Sequence, residues 1–141
     1  RMMNETATRE TFRIKGETMI TVHDYQTGRK FQDALSYSFY PIDLHTKDGV
    51  VPKHLKRGVV PTIPRGSLIP KGSKNLMVAG RCLSSDRYAN SAARVQASCM
   101  GMGQAAACTA VLAAKSSVSP KEVPLGEIHS LLREHGAIVP A

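Results

Sequence analysis

Between Ala92 and Lys115 the chain is built almost entirely from alanine, glycine, serine and cysteine, relieved by a few longer apolar side chains. Ala105 to Ala114 is among the most helix-favouring compositions available, so one long helix over 92–115 is predicted. Its two internal glycines, Gly101 and Gly103, each cost about 1 kcal/mol relative to alanine. Close approach to a sheet or a ligand is the usual compensation. Gly103, Ala107, Val111 and Ala114 share one narrow face that would permit it.

The same stretch contains Gly101-x-Gly103-x-x-Ala106, one spelling of the dinucleotide fingerprint. Those glycines work only in a tight turn between a strand and a helix. Ala92 to Ala97, upstream, has neither β-branched residues in a run nor alternation. The glycines therefore belong inside a helix that has already started. Glu122 stands about where a ribose-binding acid would, but Ser119-Pro120-Lys121-Glu122 is a local helix start, with a capping serine and a glutamate three residues later.

Elsewhere the chain is short-ranged. Residues 8–22 alternate loosely, with Phe12 and Ile14 on one side and Arg13 and Lys15 on the other, as a half-buried strand does. Thr21 is placed to cap a short helix that Gly28 ends, and 31–36 reads as another helical turn. Pro41 keeps 39–45 extended. Prolines 52, 61, 64 and 70 with glycines 49, 58, 66 and 72 make 46–74 loop-rich, with one short strand near Val59 and Val60. Asn75 to Gly80 is a continuous apolar run ending in glycine, the pattern of a strand buried on both faces. A last helix runs from Ser119, with Leu125, Ile128 and Leu132 on one face and Gly136 as its stop.

Charge is uneven. Acids and bases balance over residues 1–48, whereas 49–85 carries Lys53, Lys56, Arg57, Arg65, Lys71, Lys74 and Arg81 and no acid. Such a stretch reads as a solvated loop or as a module for an anionic partner. It holds no aromatic residue, so a stacking platform for single strands is missing and no nucleic-acid partner is expected. No unbroken apolar run approaches the roughly 20 residues of a membrane span, so no membrane partner is expected either. Cys82, Cys99 and Cys108 have no metal-ligand spacing, and Cys99 and Cys108 would point to opposite sides of one helix. Reduced thiols and no metal are expected. No signal-peptide pattern is present, although the chain begins with Arg1, so any targeting segment would lie upstream; the expected location is the cytoplasm.

The succession of apolar run, Gly80-Arg81, polar loop, small-residue helix and capped last helix resembles the C-terminal end of a family of FAD-dependent oxidoreductases. The residues that carry it are "NLMVAGRCLSS" from Asn75 and "SAARVQASCMGMGQAAACTAVLA" from Ser91. "RIKGE" at 13–17, "YPIDLH" at 40–45, "IPRGSLIPKG" at 63–72 and "HGAIV" at 135–139 follow in family order. The resemblance implies an α/β flavoprotein, here an α+β fragment: residues 1–66 as the end of a substrate domain, and 67–141 as the strand and helices closing a Rossmann-like FAD domain.

It further implies FAD as cofactor, contacted by Gly80, Arg81, Arg94, Val95 and Gln96. The amides of the last three would stabilise negative charge on reduced flavin. A small-molecule substrate would give up a hydride, and this chain would dock onto the N-terminal remainder of the same protein or form a homo-oligomer. Alone it is expected to be inactive. Asp43 and His45 share a strand face and read either as an acid–base pair or as ordinary surface polar residues. Arg65 reads either as a substrate-carboxylate clamp or as a solvated loop arginine. Asp86 and Arg87 stand where the family often has histidine, so no catalytic role passes to that loop. Ala97 and Ala107 replace a family proline and glycine. The rival reading is a non-enzymatic basic module acting through residues 49–85.

Overall fold

The computed structural model describes residues 12–141. The chain is a set of helices laid over small antiparallel pairings, with one core shared among them. Helix α1 (Val22–Thr27) starts as the sequence predicts. The Thr21 hydroxyl accepts from the Asp24 amide, and the Asp24 carboxylate accepts from the Thr21 amide in return. Gly28, at φ +67, ends it. Asp24 is held below its ordinary pKa: burial pushes it up, but the Thr21 bonds and the Arg29 guanidinium 2.9 Å away outweigh that.

Strand β1 (Ala34–Tyr37) replaces the helical turn expected over 31–36. Ala34, Leu35 and Ser36 are all buried and pair antiparallel with β4 (Thr62–Pro64) across a bulge. A short apolar run has no period of its own, so its partner decides the conformation. The strand expected at Val59–Val60 sits instead at 62–64, because Gly58 (φ +83) places Val59 in a turn closed by its amide on the Lys56 carbonyl. Residues 39–45 are extended as expected, with Ile42 bridging Lys53. A small hairpin follows, from β2 (His45–Thr46) and β3 (Gly49–Val50).

The half-buried strand expected over 8–22 is corrected for the residues described; residues 8–11 lie outside them. Phe12 is 93% exposed, and only isolated bridges form, Gly16 with Pro70 and Ile20 with Ser85. The segment is threaded rather than paired: the Ile14, Thr18 and Ile20 amides donate to carbonyls of Cys82, Gly66 and Ser84. Gly16 has no room for a side chain there, since a Cβ would lie 2.7 Å from Ser84 Cβ and 2.8 Å from the Gly66 carbonyl oxygen.

Asn75 to Ala79 does not form the expected strand. Leu76 is 53% exposed, and the stretch is tied by the Val78 amide donating to the Leu68 carbonyl. A strand buried on both faces needs neighbours along its edges, and the described residues supply no parallel partner for it.

The single helix expected over 92–115 is two. Helix α2 (Arg87–Ala93) ends at Arg94, Val95 turns extended at ψ 154°, and α3 (Gln96–Ser116) begins afresh. The 3-10 turn Gly80–Cys82 packs against α2 and α3, and the turn Arg65–Leu68 against β4. Helix α4 (Leu125–Glu134) starts later than predicted. The Ser119 amide and hydroxyl do donate to Glu122, but Pro124 disfavours helix in the residue before it, and the helix begins after it. Its face is as read, with Ile128 and Leu132 buried, and Gly136 (φ +76) follows its end.

Helix α3 lies against β1, the Gly80–Cys82 turn and α4. Its buried face carries Ser98, Met102, Ala105, Ala106, Thr109 and Ala113. That corrects the expected close-packing face. Ala107, Val111 and Ala114 are exposed, and a Cβ on Gly103 would meet nothing within 4 Å. Gly101 is the glycine that faces a strand: a Cβ built there would lie 3.6 Å from Ser36 Cβ. By length and composition α3 is also apolar enough to cross a membrane, although glycine, serine, glutamine and threonine interrupt its apolar residues. The cysteines are free, as expected, and burial raises the pKa of Cys99 and Cys108.

Asp86 ties α1 and α2 together. One carboxylate oxygen caps α2 by accepting from the Ala89 amide at 2.8 Å, and the other accepts from the Val22 amide at the start of α1. Asp86→Ala should lose both caps and lower stability by roughly 2 to 3 kcal/mol. The midpoint of urea unfolding measures it; a change under about 0.5 kcal/mol would mean that neither cap matters.

Candidate functional site

The Gly80–Cys82 turn, the α2–α3 junction and the extended segment 42–45 meet in one region. The turn is held from α2, where the Asn90 side-chain amide donates to the Arg81 carbonyl at 3.1 Å. The extended segment is held from the same helix. The Asp43 amide donates to Ser91 Oγ, and Arg94 Nη2 donates to the Asp43 carbonyl at 3.0 Å. Asp43 and His45 do share a face, their side chains 3.5 Å apart (Oδ2 to Nε2) and partly exposed. Arg65 is not brought to them. Its Nη1 donates to the carbonyls of Pro120 and Val123, which pins the loop before α4.

Helix α3 opens onto this region differently from α1 and α2, which begin under side-chain caps from Thr21 and Asp86. Val95 is the N-cap of α3 and offers no side-chain acceptor. Gln96 and Ala97 are exposed, and the first amides of any helix lack intrahelical partners. A 21-residue helix therefore presents the positive end of its dipole with its donors open. The amide set expected at the flavin, Arg94, Val95 and Gln96, needs one correction. The Arg94 amide is spent inside α2, donating to the Asn90 carbonyl at 3.0 Å, so the amides without an intrahelical partner run on into exposed Ala97 and buried Ser98.

Two further features favour an anionic or carbonyl-bearing guest. Arg94 is 91% buried, and its Nε has no partner. Gly80 sits at φ +84, and a Cβ built there would meet only Cys99, with Sγ at 3.7 Å and Cβ at 3.9 Å. The space over the turn is open rather than filled. Arg81 is exposed beside it.

The family model of FAD dependent oxidoreductases matches residues 2–132. The chain belongs to the FAD-dependent oxidoreductase family. No curated protein and no solved structure gives a match. In a member of this family, the first amides of α3, Gly80 without a side chain and Arg81 beside it are the groups whose chemistry would suit an electron-rich cofactor such as a flavin.

Sequence reasoning missed the groups that aim this helix start. Tyr25 is fully buried, and its hydroxyl bonds Ser38 Oγ at 2.9 Å; Ser38 Oγ bonds Ser98 Oγ at 2.8 Å. That relay fixes the first turn of α3 against α1. Three polar residues spaced 13 and 60 positions apart carry no local signal, so only tertiary contact reveals them.

Proposed function

We propose that residues 1–141 form the C-terminal part of an enzyme that moves a hydride from an organic substrate to FAD. Residues 1–66 would close its substrate domain and 67–141 its FAD domain. Bound FAD supplies the hydride-accepting chemistry. This chain's part would be electrostatic: the amides from Gln96 to Ser98 would hold the electron-rich part of the flavin, and Arg94 would add a buried positive charge beside them. Gly80 lets the backbone approach without a side chain in the way. Asp43 and His45 stand next to Arg94's anchor and are the groups placed to take a proton from the substrate. Arg65 serves the fold, through the carbonyls before α4. The exposed small face of α3, Ala107, Val111 and Ala114, is the surface onto which the remainder of the protein, or a second copy, would dock. A membrane is not needed to account for it.

The uncapped start of α3 beside Gly80 is the observation that carries this reading. Gln96→Pro tests it cleanly. Position 96 is the first helical residue, where proline is tolerated, and Val95 already has the extended ψ that a residue before proline requires. The fold should persist while one donor is lost. In the whole protein, coloured by flavin absorbance near about 450 nm, the two-electron midpoint potential should fall by roughly 30 to 60 mV, the equivalent of one hydrogen bond to a charged group. An unchanged potential at full flavin occupancy would remove the α3 amides from the cofactor. The rival, a basic module acting through 49–85, predicts a colourless protein whose binding to an anionic polymer weakens steeply with salt.

A further inference from the structure

A hollow of about 360 Å³ lies on the far side of the extended segment that carries Asp43 and His45. Ile42 and Leu44 form its floor, Val22 opens it from α1, and Tyr88 closes it from α2. Alternation along an extended chain turns Asp43 and His45 away from it. Val51 stands at the mouth, 90% exposed, and Tyr88 is 52% exposed. These are apolar and aromatic surfaces left to water around a concavity rather than packed into the core.

One charged side chain lines it. Lys53 is fixed in the wall by its backbone, which exchanges hydrogen bonds with Ile42 at 3.0 and 2.9 Å, while its side chain is exposed. Among the described residues no acid lines it, and Gln26 and the Tyr88 hydroxyl are the other polar groups. Apolar walls with one or two placed polar groups, at a volume within roughly 300 to 1,000 Å³, are what small-molecule sites present. We propose that this hollow binds a small amphipathic organic anion, its aliphatic or aromatic part on Ile42, Leu44 and Tyr88 and its carboxylate on Lys53. Charge complementarity selects the anion: a carboxylate gains a charge-assisted bond at Lys53 that a neutral analogue lacks.

The inference does not depend on the flavin reading, because binding is measured without turnover, in whole protein with or without colour. Isothermal calorimetry with phenylbutyrate as the anionic probe and phenylbutanol as its neutral counterpart decides it. Phenylbutyrate should give a saturable one-site heat and bind more tightly than the alcohol. Lys53→Glu should weaken phenylbutyrate by about tenfold or more while leaving the alcohol within about threefold. Val51→Glu, at the exposed mouth, should act in the same direction. Both positions are exposed, so neither variant threatens folding. Absence of saturable binding by phenylbutyrate, or binding that Lys53→Glu leaves unchanged, would overturn the proposal.

Discussion

Residues 1–141, isolated, should bind FAD with a dissociation constant weaker than about 1 µM, or not at all. Tight flavin binding in dinucleotide folds rests on a glycine turn between strand and helix that holds the pyrophosphate. The one glycine pair with that spacing here, Gly101 and Gly103, lies inside α3. What the proposed site offers is a helix start, the Gly80 turn and a buried arginine, which would reach only part of the cofactor. Leu76, Met100 and Val111 are exposed, and Asn75 to Ala79 have no strand partners among the described residues. The isolated chain should therefore self-associate, or order itself only on docking to the rest of the protein. Titration calorimetry with FAD, run beside sedimentation velocity, measures both. A monomer that binds FAD at micromolar affinity or better would place the cofactor site wholly within these residues and refute the division proposed for it.

Gly80→Val should strip flavin from the whole protein, weakening FAD by at least about tenfold. Two effects add. At φ +84 any side chain is strained by about 1 to 3 kcal/mol, most of all a β-branched one. The branch would also enter the open space over the turn, where the backbone is proposed to approach the cofactor. Gly80→Ala separates the two. Its Cβ would sit at ordinary contact distance from Cys99 Sγ, 3.7 Å, so alanine carries the backbone strain with little added bulk. Alanine should lower the melting temperature yet keep most of the flavin, and valine should lose it, with helical circular dichroism largely intact in both. Stoichiometric FAD retained by the valine variant would take Gly80 out of the site.

Local chemistry was legible in the sequence because caps and turns act over three or four residues. The Thr21 cap and the stops at Gly28 and Gly136 form as expected, and Ser119 meets Glu122 although no helix starts there. Asp43 and His45 were placed on one face by strand alternation alone, and the family was legible because Gly80-Arg81 and the small-residue helix stand in a specific order. Where the reading failed, the deciding partner was distant. Ala34–Tyr37 is a strand because Thr62–Pro64 pairs with it, 31–36 having no period strong enough to choose. The break at Arg94–Val95 follows from anchors on both sides of it, Arg94 on the Asp43 carbonyl and Ser98 on Ser38, and it moved the open amides along the chain. Arg65 turned inward to two carbonyls 55 and 58 residues away, where composition had shown only one more cation in a basic stretch. Sequence by itself determined which short pieces could form and what chemistry their side chains brought, since propensity, capping and alternation are properties of neighbours. Only the tertiary structure decided which donors stay open, which arginine is buried and which face of α3 is left to water, because each depends on contacts between residues that the chain separates by tens of positions.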